Sequence, residues 1–394
     1  MMIPVDPDVV APDALRLARQ LAPVIFAARE ETERMRQVSP VLADILASAG
    51  LYQMYLPRSM GGPELLPLTV FEAIEETSKA DGSVGWCLMN ANIVALAAGW
   101  LAPEVGRRNF GVPPDVRGAG SLRPLGRAWP VDGGYRLKGQ WNFASGLHNA
   151  NWLFCPCLIM DGDAPRLSPA GTPVTRTMWL PIGAARFVDA WSVMGMRGTG
   201  SHDFVVDDVF VPEWQTISLA DQSNESGHLY HSRLFFALVY LLFAANALGI
   251  ARGAIDALVD MASKKATTLS TDLLRDRPLV QARVAQAEAI VNAARCYVLD
   301  SLAQLWTAVC ANVPDPSREI AQLRLSIPHA IHESVRAIEL VFHAAGTNAI
   351  YNANPLERQF RDIHVAVQHG AAFPVHFECA GQVLMGLRPS APGW

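Results

Sequence analysis

The sequence predicts an α+β protein in which two helical regions flank a sheet. Apolar positions recur every three to four residues before about residue 110 and again after about 235, whereas 113–214 breaks into short apolar runs separated by Gly, Pro and Asp. A chain of 394 residues that is 51% hydrophobic is also long enough for two or three domains with a large core. The division expected is 1–112 helical, 113–215 strand-rich and 216–394 a four-helix bundle.

In the first region Leu15, Ala18, Leu21 and Ala22 mark one helix, and Val41, Ile45, Leu46 and Ala49 mark a second that Gly50 stops. Pro67 opens the next helix, and Ser83-Val84-Gly85-Trp86 opens a very apolar one whose Asn90 and Asn92 need partners if buried. The middle region has strands at Tyr135–Trp141, Trp152–Cys155, Thr177–Leu180 and Phe204–Pro212, with Asp132-Gly133-Gly134 as a turn. Helices are then expected over Leu234–Lys264, Val280–Val309, Arg318–Ala344 and Phe360–Met385.

A net charge of −5 with both signs scattered offers no basic stripe, so nucleic acid is not an expected partner. The six cysteines lie mostly in apolar runs, and Cys155-Pro156-Cys157 lacks a second pair at zinc spacing, so no metal is expected. Reduced thiols and an N-terminus, Met1 to Asp6, without a basic and then apolar leader predict a cytoplasmic protein. Leu234 to Ala251 approaches the length of a membrane span; Tyr240 and Asn246 inside it favour a helix buried in a bundle, with no membrane partner.

The stretch Trp141-Asn142-Phe143-Ala144-Ser145-Gly146 alternates rings with small residues and brings a hydroxyl next to a glycine. By its period of two it reads first as the core face of a strand rather than a cofactor site, and it acquires functional meaning only from its neighbours.

Those neighbours carry a resemblance. Gly118-Ala119-Gly120-Ser121, then Gly139 to Gly146, then Trp191 to Asp203 containing Met196-Arg197-Gly198-Thr199-Gly200-Ser201, resemble the acyl-CoA dehydrogenase superfamily. The likeness is greatest to its two-component flavin-dependent monooxygenases, the aromatic hydroxylases of group D. It implies a central β-barrel between the helical domains, a homotetramer, and a flavin, FMN or FAD, received in reduced form from a separate reductase. Trp141 would pack on the flavin ring, Ser145 would bond its N5/O4 edge, and Gly120, Ser121, Thr199, Gly200 and Ser201 would border it. Arg275, Arg277 and Gln281 resemble the segment presented to the neighbouring subunit's cofactor.

Dehydrogenases of this superfamily need a carboxylate base. The segment from Asn354 through Asp362 resembles the element before that base, and it leads to His369-Gly370, while the alternative position reads His231-Ser232-Arg233. His369 and Ser145 are therefore the expected catalytic residues, with O2 as co-substrate. A C4a-hydroperoxide of the flavin would hydroxylate an aromatic or polycyclic apolar compound, and an imidazole of near-neutral pKa, two helical turns beyond Asp362, would act as base or hydrogen-bond donor. Leu88, Met89, Asn92, Phe235, Phe236, Val239, Tyr240 and Phe243 are candidates for the substrate pocket. The alternatives are an acyl-CoA dehydrogenase or oxidase with a displaced base such as Glu378, and a non-catalytic relative that binds an apolar ligand.

Overall fold

The computed structural model describes residues 13–266, 272–391 and 394; the N-terminal residues on which the absence of a leader was argued lie outside them. Five helices come first: α1 (Ala14–Met35), α2 (Pro40–Ser48), α3 (Pro67–Ala80), α4 (Gly82–Ala97) and α5 (Pro103–Phe110). Their starts follow local chemistry. Asp13, Ser39 and Asp81 accept backbone N–H bonds at the first turns of α1, α2 and α4, and proline opens α2, α3 and α5.

Nine strands follow: β1 (Gly118–Gly120), β2 (Gly126–Val131), β3 (Gly134–Ala144), β4 (Trp152–Asp161), β5 (Ala164–Pro165), β6 (Thr175–Pro181), β7 (Arg186–Val188), β8 (His202–Pro212) and β9 (Thr216–Ile217). The expected barrel takes the form of one sheet, ordered β7-β8-β3-β2-β4-β6-β9, whose end strands are not laddered to each other among the described residues. β1 and β2 both pair in parallel with β4, at Gly118–Trp152 and at Gly126–Cys157. The chain leaves the sheet between them, so Ser121 to Leu125 turns away from the strand edge.

The last region holds α6 (Phe235–Ala262), α7 (Pro278–Cys310), α8 (Ser317–Ala345), α9 (Pro355–Ala366) and α10 (Val375–Leu384). The fourth helix expected over Phe360–Met385 is thus two helices. Pro374 has no N–H to donate and disfavours helical backbone at Phe373, and His369 is itself extended. The exposed carbonyls of the break are paired: His376 Nε2 donates to Gly370 at 3.0 Å, and His332 Nε2 to Ala372 at 3.0 Å.

Among the described residues two helical segments are long and apolar enough to cross a membrane, Gly82–Trp100 and Ser232–Ala262, the first of which was not anticipated from the sequence. The most apolar window of each is 89% buried within the protein, and Asn246, inside the second, donates to Ser78 Oγ and the Gly82 carbonyl.

Candidate active site

A cavity of about 560 Å³ lies where α4, the β1–β2 connection, the end of β3, the loop before β8, α6 and the α9–α10 break meet. That is within the size range of small-ligand pockets. Its α4 wall is Trp86, Asn90, Ile93 and Val94, one helical face at i, i+4, i+7 and i+8. Tyr240 and Phe243 line it from α6, and Gln368, His369 and Gly370 from the break.

Ser145 and His369 are brought together by a residue the sequence reading did not assign to the site. Trp86 Nε1 donates to Ser145 Oγ at 3.0 Å, and its ring meets His369 edge-on at 5.7 Å. The only sequence signal was an indole opening an apolar helix. Ser145 Oγ also lies 2.7 Å from Ser201 Oγ, which lies 2.6 Å from Thr199 Oγ1. The Gly146 N–H donates to the Thr199 carbonyl at 2.8 Å and ties the two motifs together.

The loop carrying Thr199 is held by the helices beneath it. Gly195 packs so closely on the Arg361 backbone, and Gly198 on Thr32 and Ser83, that a Cβ at either would clash. Glu33 of α1 pairs with Arg361 at 3.0 Å and with Arg197 at 3.4 Å. The buried Asp362 carboxylate accepts the Met196 N–H. Burial and the neighbouring Asp81 push Asp362 up to about 7.

His369 sits at the helix break rather than on the face of a helix above Asp362. Its Nδ1 accepts the Ala371 N–H at 3.1 Å, which places the proton of the neutral ring on Nε2. Burial, with a contribution from His376, lowers its pKa to about 4, not near neutrality as expected. At pH 7 the ring is therefore neutral and its N–H is a donor.

Several placements differ from expectation. Trp141 is fully buried in the sheet core, stacked on Phe204 at 5.1 Å with Nε1 donating to the Pro156 carbonyl at 3.0 Å. Its ring fills the space left by Gly126 and Gly139, so it cannot touch a cofactor. A bulge explains the exchange: three steps from Trp141 to Ala144 face two from Phe204 to His202. Phe143, at φ 59° and 58% exposed, turns out of line and lines the cavity with Trp191.

Asn92 is fully buried and satisfied, accepting from Tyr55 N and donating to the carbonyls of Leu51 and Leu88. Two residues along a helix is a rotation of about 200°, so Asn90 faces the cavity instead. Phe235 and Val239 are core residues one position off the lining face of α6, and Leu88 and Met89 are core residues of α4, whereas Tyr240 lines the cavity as expected. Gly120, Ser121, Thr199 and Ser201 line it too, while Gly200 packs against the Arg36 carbonyl. Arg275, Arg277 and Gln281 lie at the start of α7, outside the cavity wall; Gln281 Nε2 donates to the Arg275 carbonyl at 2.9 Å. Glu378 is exposed on α10 and does not reach the cavity.

Residues 241–373 match the family model described as acyl-CoA dehydrogenase, C-terminal domain. The chain is 34% identical over 366 residues to an indole-3-acetate monooxygenase of Pseudomonas putida, covering 92% of this chain and 91% of the relative. The chain belongs to the acyl-CoA dehydrogenase superfamily, in its flavin-dependent monooxygenase branch. It is 27% identical to the oxygenase subunit HsaA of a flavin-dependent monooxygenase from Rhodococcus jostii, with 90% and 93% of the two chains covered. XiaF from Streptomyces sp., solved in complex with FADH2 and glycerol, superposes with a TM-score of 0.87 at 26% identity, covering 96% of each chain.

As a member of that branch the protein is an oxidoreductase. Its cavity suits a flat ring. Phe143, Phe154 and Trp191 supply aromatic walls, a Cβ at Gly120 would run into the Phe154 carbonyl, and Ser145 supplies a polar atom at one side. Among the described residues there is no group of three or more His, Cys, Asp or Glu placed to hold a metal.

Proposed function

We propose that this protein is the oxygenase component of a two-component system and hydroxylates a small, apolar aromatic compound, with reduced FMN or FAD delivered by a separate reductase. The observation that carries the reading is that Ser145 and His369 face one aromatic-walled cavity in which, among the described residues, no Asp or Glu is a lining residue. A dehydrogenase would need a carboxylate there to take a proton.

Reduced flavin, when bound, supplies the two electrons that activate O2, so that one oxygen atom reaches the substrate and the other leaves as water. Ser145 would hold the flavin edge, with Gly120, Ser121, Phe143, Trp191, Thr199 and Ser201 around it. His369 keeps its proton on Nε2, because Nδ1 is committed to Ala371, and would donate it to a group bound in the cavity. A ring with a pKa of about 4 is too weak a base to hold a proton taken from a phenol, so we assign it the donor role. Asn90, Tyr240, Phe243 and Phe373 complete the wall against which the substrate would lie and exclude water.

The same reading takes the 1–112, 113–215 and 216–394 division as domains, a homotetramer in the cytoplasm as the assembly, and Arg275, Arg277 and Gln281 as groups offered to a neighbouring subunit's cofactor. The relative named for indole-3-acetate makes that compound the first substrate to try. The test supplies the purified protein with a flavin reductase, NADH, FMN or FAD, and 18O2, with indole-3-acetate and simple phenols as substrates. One labelled oxygen in an aromatic product supports the reading. Reduction of bound flavin by an acyl thioester, without labelled product, overturns it.

A further inference from the structure

The hydrogen bonds around Ser145 form a chain in which every proton can be assigned. Thr199 Oγ1 donates to the Met196 carbonyl at 2.8 Å, the shortest of three bonds to an oxygen that also takes the Trp191 Nε1–H at 3.0 Å and the Thr199 N–H at 3.1 Å, so the threonine proton is used there. The proton between Thr199 and Ser201, 2.6 Å apart, must then belong to Ser201. By the same count the proton between Ser201 and Ser145, 2.7 Å apart, belongs to Ser145. The Trp86 indole N–H, which can only donate, takes one lone pair of Ser145 Oγ at 3.0 Å. What Ser145 has left for the cavity is its second lone pair.

We infer that Thr199 and Ser201 are positioning residues that fix Ser145 as a hydrogen-bond acceptor toward the cavity, so that the site recognises a reduced flavin in preference to an oxidised one. This rests on the reading that Ser145 holds the flavin edge. A reduced flavin carries a hydrogen on N5 and an oxidised flavin carries a bare lone pair there. An acceptor serine pairs with the first and opposes the second. For Ser145 to become a donor, Ser201 and Thr199 must both turn over, and Thr199 must give up the Met196 carbonyl. That carbonyl is also held by the Trp191 Nε1–H at 3.0 Å, and the peptide before it is anchored by the Met196 N–H donating to the buried Asp362 carboxylate. For an enzyme that takes in reduced flavin from outside, such a chain favours arrival of the reduced ring and departure of the spent one.

The experiment measures dissociation constants for reduced flavin (anaerobically) and oxidised flavin, with FMN and FAD in parallel, and reads their ratio. Thr199→Val removes the acceptor of the Ser201 proton, and Ser201→Ala removes the acceptor of the Ser145 proton; each frees Ser145 to donate. Both should tighten oxidised-flavin binding and shrink the preference for the reduced form by about fivefold or more. Thr199→Ser should restore it. A ratio unchanged in both variants, with Ser145→Ala weakening reduced-flavin binding, overturns the inference while leaving Ser145 at the flavin. If Ser145→Ala changes neither affinity, the underlying placement of Ser145 fails as well. Thermal melting of each variant checks folding, and either of the two substitutions is sufficient if the other does not fold.

Discussion

The imidazole of His369 lies parallel to the ring of Phe243, 3.9 Å between centroids and 11° from coplanar. One face of the histidine is thereby sealed by α6, and Trp86 closes an edge. Replacing Phe243 with Ala opens that face to water and removes part of the desolvation that lowers the ring. The His369 pKa is expected to rise from about 4 toward 6.5, followed by NMR titration of its ring protons. Product yield per reduced flavin should fall at the same time, because water enters beside the reacting group.

Asn90 and Asn92 separate function from stability two residues apart. Asn92→Ala leaves the Tyr55 N–H and the Leu51 carbonyl without their buried partner, and is expected to cost about 2 kcal/mol or more in urea unfolding. Asn90→Ala loses only a bond to its own helix, from Nδ2 to the Trp86 carbonyl, and should alter KM for the aromatic substrate with stability within about 0.5 kcal/mol of wild type.

Trp141 and Phe143 make a second such pair. Trp141→Phe should leave flavin affinity unchanged within about twofold while costing about 1–3 kcal/mol, through an orphaned Pro156 carbonyl and a cavity against Gly126 and Gly139. Phe143→Ala should do the reverse, weakening flavin binding in a fluorescence titration with little change in melting temperature. Equal effects of the two on flavin binding would contradict the bulge geometry.

The buried titratable groups oppose one another in acid. His369 and His376 have pKa values lowered to about 4 by burial, so their contribution to stability is complete above 6.5 and is lost as pH falls toward 4. Asp362, raised to about 7, contributes fully below 3.8 and loses that contribution as pH rises through 7. Asp362→Asn should therefore show a steeper gain in stability between pH 4.5 and 7.5 than wild type. His369→Asn together with His376→Asn should flatten the acid side. Urea midpoints at pH 4.5, 6 and 7.5 decide both.

Much of the architecture was legible because it rests on periodicity. The apolar repeats located the long helices, and Gly50, Pro67 and Gly133 marked real boundaries. Ser145, Ser201, Thr199 and Tyr240 were placed at the cavity by residue type and resemblance. Illegible features depended on rotation or distance. One inserted residue in β3 exchanged the roles of Trp141 and Phe143, and on α6 the cavity is lined by Tyr240 and Phe243, while Phe235 and Val239 are core and Phe236 lies outside the wall. Trp86 could not be read as a partner of Ser145, since 59 residues of chain separate them.

The break between α9 and α10 has a consequence for how this site could change. His369 is not packed into a helix; it begins a single 3-10 turn, and its main link to the chain is an acceptor atom two bonds from Cβ facing the Ala371 N–H. Asn, Asp and Ser also offer an acceptor on a short side chain to such a turn. The position behaves as a socket: the group exposed to the reaction can be exchanged, while His376 and His332 keep the surrounding carbonyls in place. A scaffold built this way can alter its chemistry one residue at a time without refolding its bundle.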